Sequence, residues 1–203
     1  MGDSPSDIRA KIIAAAQKAI AELGVSNTTL QVIADGAGIS KGSLYYYFKT
    51  KDSILYSVVD EDFRISRRIM QQYRAGKLDK KQLRAAIIAG LKERLEKKSE
   101  NRLHLYLAHE AMLGNQELIA SYKAKYADWV NDIAEGFSIA FDVPNSPWTR
   151  LLAFFFISTM DGWCMQDLLE ISAVPKKDAV RIISAIFNDE KKTGIMKSLM
   201  KDE

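Results

Sequence analysis

Apolar residues recur at helical spacing along almost the whole chain, and no stretch keeps a period-two alternation long enough to make a half-buried strand. The four prolines fall at element boundaries, so the pattern predicts an all-α fold. With 203 residues and 47% apolar side chains, the chain can bury a full core in one or two domains. The longest uninterrupted apolar run, Leu151 to Ile157, is far shorter than the roughly 20 residues a membrane span requires, and no membrane partner is expected. A single cysteine, Cys164, forms no internal disulfide, and no charged-then-apolar leader precedes Asp7, so the expected location is a reducing cytoplasm. The opening Met1 to Ser6 fits the loose myristoylation pattern, but without a polybasic patch or second lipid signal it reads as a chance match.

Nine helices are predicted. The first begins at Ser6 or Asp7 and carries Ile8, Ile12, Ala16, Ile20 and Leu23 to a stop at Gly24. Two short helices follow, one from Thr29 and one from Ser40 to Phe48, separated by a turn at Gly36 to Ile39. Thr50 then caps a long fourth helix that carries Leu55, Val58, Val59, Phe63, Ile69 and Tyr73 to Gly76. Such a helix of about 25 residues would span roughly 37 Å. Leu83 to Leu95, Leu103 to Leu113, an Asn115-capped stretch to Phe141, Ser146-Pro147 to Ile171, and a last helix from Lys176 complete the series. The charge-dense run Lys92 to Arg102 reads as a solvated helix end. A composition shift near residue 50 divides a small domain, 1–50, from a larger helical one, 51–203.

The segment from Leu30 to Lys51 has the chemistry of a helix-turn-helix. Two helices crossing through a tight turn need a small residue at the contact, a residue tolerant of positive φ in the turn, and apolar pins. Ala34, Gly38 and the set Ile33, Ile39, Leu44 and Phe48 supply them, and Ser40 caps the second helix. Its outward positions are Lys41, Gly42, Ser43, Tyr45, Tyr46 and Tyr47. Net charge is only +3, yet Ser40 to Lys51 holds three cations, Lys41, Lys49 and Lys51, and no acid. Lys41, Lys51 and the tyrosine hydroxyls suit phosphates, while Gly42, Ser43 and the tyrosine rings suit base edges. Tyr45 to Phe48 also reads as an aromatic core cluster, but adjacent helical residues point about 100° apart, so the three tyrosines do not all bury together.

In the larger part, Tyr106, Trp129, Phe137, Phe155 and Trp163 are candidates to line an apolar ligand site, with His109, Glu110 and Asp161 as orienting polar groups. Each taken singly also reads as core packing. Asp161-Gly162-Trp163 is the oddest local feature, because glycine weakens a helix and an acid among apolar residues needs a partner. Cys164 has no flanking cation to lower its pKa and reads as inert. His104 and His109 are five apart, on different helix faces, so no metal is expected. No cofactor is expected either: Gly36, Gly38 and Gly42 are mis-spaced for a dinucleotide loop, and no strand precedes them.

The stretches IIAAAQKAIAELG, Ile12 to Gly24, and TTLQVIADGAGISKGSLYYYFKTKDSIL, Thr28 to Leu55, closely resemble the DNA-binding domain of TetR-type transcriptional regulators. That resemblance implies a three-helix reader joined through a fourth helix to a helical ligand-binding and dimerisation domain. It places DNA contacts on Thr29, Ser40, Lys41, Gly42, Ser43, Tyr45, Tyr46, Tyr47 and Lys51. Two positions depart from the family's habit: Tyr47 stands where histidine is frequent, and Ala19-Ile20 where a Leu-Phe pair is common. The resemblance further implies a pocket among helices four to eight and a homodimer through the last two long helices, near 147–171 and 176–190. The all-round apolar run Leu151 to Ile157 agrees with the dimer independently, since a helix without a polar face must be covered on more than one side.

The expected function is therefore a ligand-responsive regulator, a repressor on a palindromic double-stranded DNA operator, released by a small, largely apolar inducer. Two alternatives are a helical binding protein or enzyme with structural N-terminal helices, and a constitutive DNA binder. The first lacks any visible catalytic constellation, so no enzyme is expected.

Overall fold

The computed structural model describes residues 4–62 and 64–188, and within them the chain is all-α, as ten helices. They are α1 (Pro5–Asn27), α2 (Leu30–Ala37), α3 (Lys41–Tyr47), α4 (Lys51–Asp62), α5 (Ile65–Arg74), α6 (Lys80–Glu96), α7 (Lys98–Met112), α8 (Gln116–Phe141), α9 (Pro147–Leu168) and α10 (Lys176–Asn188). No helix among the described residues is long and apolar enough to cross a membrane. The chain groups into two compact units, Met1–Phe63 with Ser99–Tyr122, and Arg64–Lys98 with Lys123–Glu203. These bounds differ from a division at residue 50, because α4 and α7 belong with the first three helices.

In the first unit α1 starts earlier than the sequence suggests. Ser4, not Ser6 or Asp7, is the N-cap: its hydroxyl accepts from Asp7 N at 3.2 Å and its own N–H donates to Asp7 Oδ2 at 3.0 Å. Pro5 at the first helical position needs no donor there. Gly24 adopts φ 78, ψ 165 and kinks the helix without ending it. Helical residues continue to Asn27, and buried Thr28 closes the end by donating its hydroxyl to Gly24 O at 2.8 Å. α1 packs on α2 and α4, and α2 on α3. A Cβ on Gly36 would stand 3.3 Å from Ala15 Cβ, so α2 lies close against α1. Ile12, Ala16, Ile33, Leu44, Ile54, Leu55, Leu103 and Leu107 are buried.

Thr50 caps α4 through Ser53 N at 3.0 Å, as expected, and α4 is tied to the later part of the unit. Asn115 Nδ2 donates to Asp52 Oδ2 at 3.0 Å while Asn115 Oδ1 caps α8 through Leu118 N. Tyr56 OH donates to Ser121 O at 2.8 Å, and Tyr122 OH to His104 O at 2.9 Å.

The single long fourth helix expected over residues 50–76 is corrected to two elements, α4 and α5. Arg64, between them, has ψ 13, well off the helical value, and its neighbour Phe63 lies outside the described residues. α5 packs on α6, and α6 on α10. α6 opens with a capping box in which Asp79 and Gln82 exchange hydrogen bonds of 2.7 and 2.8 Å. α5 also carries an ionic ladder to α8: Arg67 pairs with Asp128, and Arg74 with Glu135 and, at 3.5 Å, with the buried Asp132. Burial raises the Asp132 carboxyl above its ordinary range against the pull of Arg74 and Arg67. Phe137, Phe141, Ala153 and Phe187 form one core cluster of this unit, and Leu91, Leu95, Met160 and Cys164 another. α9 begins at Ser146-Pro147 as expected, with Ser146 N donating to Thr149 Oγ1 at 2.9 Å.

The α5–α6 contact has no slack, because a Cβ on Gly90 would meet Ile65 Cγ2 at 2.7 Å and Ile69 Cδ1 at 3.1 Å. Gly90→Ala is expected to destabilise the protein by about 1–3 kcal/mol in urea unfolding despite alanine's better helix propensity. Gly42→Ala, whose Cβ would meet only Ser40 Oγ at 3.8 Å, is expected to show no such loss.

Candidate nucleic-acid interface

α3 is seven residues long, too short to persist unaided, so its neighbours hold it. Ser40 caps its start, accepting from Ser43 N at 3.0 Å, and Gly38 makes the preceding turn at φ 69, a left-handed conformation that favours glycine. Thr29 caps α2, accepting from Val32 N at 3.2 Å, and remains exposed. Leu44 and Phe48 are buried and fix the inner side. Lys41, Gly42, Ser43, Tyr45 and Tyr46 are exposed, Tyr46 to 85%. Tyr47 is half-buried and meets Tyr46 edge-on at 5.2 Å. One tyrosine therefore turns partly inward and two outward, as helical geometry requires.

Two cations close to this face are engaged behind it. Lys51 donates its ammonium to Val25 O at 2.8 Å, near the end of α1, and burial lowers its pKa while Asp52 counters the shift. Arg9 on α1, which the sequence reading missed, donates to Tyr47 O at 3.2 Å and lays its guanidinium 4.1 Å from the Phe48 ring centroid. It thereby satisfies an end carbonyl of α3 that the helix leaves open. Arg9 stands 38 residues before Tyr47, so no local spacing rule could have found it.

Of the ligand candidates, Tyr106, His109 and Glu110 fall in the first unit, and Trp129, Phe137, Phe155, Asp161 and Trp163 in the second. Burial and the charges of Glu110 and Asp52 raise the Tyr106 phenol. His109 is exposed and 3.9 Å from Glu110. In the second unit Phe137 is a core residue among Phe141, Phe156 and Phe187. Phe155 is 58% exposed on α9, on the helix face opposite the buried Ala153, Ile157 and Met160. Asp161 accepts from Tyr126 OH and lies 3.5 Å from Arg94; burial raises its carboxyl, with the hydrogen bond and Arg94 opposing. Tyr126 in turn packs on Trp129 at 5.1 Å, and Trp163 packs beside Leu91 and Leu95. Asp161 thus has the partners its position demanded, Tyr126 and Arg94, neither of which was anticipated. Burial pushes the Cys164 thiol up.

Residues 12–58 match the family described as bacterial regulatory proteins, tetR family. Over 58 residues the chain is 36% identical to the HTH-type transcriptional regulator TtgR of Pseudomonas putida, covering 29% of this chain and 28% of that protein. Over 55 residues it is 38% identical to the HTH-type transcriptional repressor KstR2 of Mycolicibacterium smegmatis, covering 27% of each. These matches span little more than a quarter of either relative. Across nearly its whole length the fold resembles a TetR transcription regulator from Haloarcula marismortui, with TM-score 0.61, 18% identity, and 93% of this chain and 96% of that one covered. It also resembles the fatty acid degradation regulator FadR of Bacillus halodurans, with TM-score 0.61, 19% identity, and 92% and 96% covered. At that identity the structural likeness shows the fold. Residues 12–58 thus carry a helix-turn-helix segment that matches the tetR family of bacterial regulatory proteins.

Proposed function

We propose that this protein is a DNA-binding transcriptional regulator and not an enzyme: a homodimeric repressor that holds a palindromic operator and releases it when a small, largely apolar inducer binds. The observation that carries the reading is the outward face of α3, where Lys41, Ser43, Tyr45 and Tyr46 stand exposed on a helix without an acid. That face offers a point charge, hydroxyls and two aromatic rims to a strongly anionic surface. Thr29, Ser40, Gly42 and Tyr47 border it. Lys51 and Arg9 act from behind it by holding the ends of the helix-turn-helix in place.

On this account residues 1–50 read DNA, and the remainder, 51–203, supplies dimerisation and the inducer site. α9 supports the dimer with large apolar side chains turned to solvent, and Ile182 on α10 is exposed as well. Part of the second segment assigned to the dimer, residues 189 and 190, lies outside the described residues. For the inducer, Asp161 bonded to Tyr126, with Trp129 packed on the Tyr126 ring, sets an acid beside aromatic rings, and Trp163 follows two positions on in α9.

Fluorescence anisotropy on a DNA duplex drawn from upstream of the protein's own gene tests the reader. Lys41→Ala with Tyr46→Ala is expected to weaken binding at least tenfold and to lower the slope of log K against log salt by about 0.9, the value for one lost phosphate contact. Unchanged affinity and slope would sink this assignment of the face. Arg9→Ala is expected to weaken binding with the slope unaltered, because Arg9 serves the helix end and not a phosphate; a fall in slope would make it a phosphate contact instead. A thermal-shift panel of apolar acids, apolar cations and acyl compounds tests the inducer site, the acyl compounds included because the Bacillus halodurans neighbour is a fatty acid degradation regulator. A compound that stabilises the wild type and weakens its DNA binding, but stabilises Asp161→Asn less, supports the site. Equal stabilisation of both removes Asp161 from it.

A further inference from the structure

The first turn of α4 is held from two sides. Lys51 reaches the end of α1, where its ammonium donates to Val25 O at 2.8 Å. Asp52, the next residue and about 100° further round the helix, accepts from Asn115 Nδ2 at 3.0 Å, in the turn between α7 and α8. Both partners of this second bond are half-buried. Only three residues, 48–50, separate α3 from α4, and Phe48 among them is buried. A tilt of the first turn of α4 therefore carries α3 with it, and Lys41 and Tyr46 on its outer face move together.

Neither helix needs the Asp52–Asn115 bond for its own sake. Asn115 caps α8 with the other end of its amide, Oδ1 accepting from Leu118 N at 3.2 Å, and Thr50 caps α4. What the bond fixes is the placement of one helix start against the other. One turn along, Tyr56 OH donates to Ser121 O at 2.8 Å, so the pairs 52–115 and 56–121 advance together and the two helices run in the same sense. Helix starts carry partial positive charge, and two of them side by side repel. Asp52, in the first turn of α4 and bonded to the cap of α8, offers one carboxylate to both.

The charges round this contact sharpen its requirement. Lys51 stands beside Asp52 on α4, and on α7 the Tyr106 phenol feels both Asp52 and Glu110. Tyr106 and Glu110, which the sequence offers as ligand candidates, thus lie near the start of α4. With Glu110 already close, the partner of Asp52 has to be a donor, and a further acid there would meet two carboxylates.

Resting on the reading of α3 as the DNA-facing helix, we infer that Asp52 and Asn115 are positioning residues for DNA binding: their hydrogen bond anchors the first turn of α4, and through it α3, on the start of α8, so that affinity for DNA depends on a contact that touches no DNA. Anisotropy on the upstream duplex tests this with three variants. Asn115→Asp keeps an oxygen to cap α8 but sets a carboxylate against Asp52; it is expected to weaken binding about tenfold, with the salt slope and the circular dichroism of the wild type. Asp52→Ala removes an acid close to the DNA-facing helix, so charge alone would tighten binding, whereas loss of the anchor is expected to weaken it about fivefold. Combining Asp52→Asn with Asn115→Asp restores a donor opposite an acceptor at the wild-type net charge, and is expected to return affinity to within about twofold of the wild type. Wild-type affinity or an altered slope in Asn115→Asp, unchanged or tighter binding in Asp52→Ala, or a double variant no better than Asn115→Asp alone overturns the positioning role and leaves α3 as the reader. A wild type that does not bind the duplex overturns both.

Discussion

A helix of seven residues gains too few hydrogen bonds to offset the cost of starting it, and every functional feature of the first unit hangs on keeping α3 in place. Leu44 and Phe48 sink its inner face, Ser40 closes its first turn, and Arg9 closes its last by reaching Tyr47 O from α1. Lys51 performs a related task one step further on, pulling the start of α4 onto the Val25 carbonyl. The outward residues Lys41, Ser43 and Tyr46 are therefore presented on a platform whose rigidity comes from residues that never face outward. A short helix pinned in this way has a fixed face, as register on a nucleic-acid backbone demands.

The caps were legible because they are local chemistry. Ser40, Thr50 and Asn115 each accept a bond from the backbone N–H three residues on, Ser146 N donates to Thr149 Oγ1 at the same spacing, and that spacing alone identifies them. Ser4 was passed over for Ser6 only because the apolar periodicity starts later than the helix does. The division between α4 and α5 was not legible, since the apolar spacing runs on across a residue whose ψ leaves the helix. Long-range partners were invisible for the same reason. Arg94 meets Asp161 and Tyr126 meets Asp161 across 67 and 35 positions, and nothing in the composition near Asp161 announces either. Phe155 shows the limit of apolar runs: Leu151 to Ile157 is apolar all round, and periodicity cannot say which of its rings faces its own core.

Within the second unit, packing outweighs charge. The ladder of Arg67 and Arg74 to Asp128, Asp132 and Glu135 is partly exposed, and exposed pairs contribute about 0–1 kcal/mol each. A Cβ on Gly90 would stand only 2.7 Å from Ile65 Cγ2, so α6 and α5 seat tightly there, whereas one on Gly136 would make ordinary contact with Met70 Sδ and Ile87 Cδ1 at 3.5 Å. The ladder then selects the register of α5 on α8 more than it adds stability. α9 buries Ala153, Ile157, Met160 and Cys164 on one side and leaves Leu151, Phe154 and Phe155 exposed on the other.

The central claim is that two copies of this chain bring two α3 helices to one DNA duplex. Sedimentation of the wild-type protein mixed with an upstream duplex, titrated to saturation at low salt and again at rising salt, tests it most directly. The account predicts two chains per duplex, bound together and released together with a steep dependence on salt. One chain per duplex at saturation, or no complex at low salt, would contradict it.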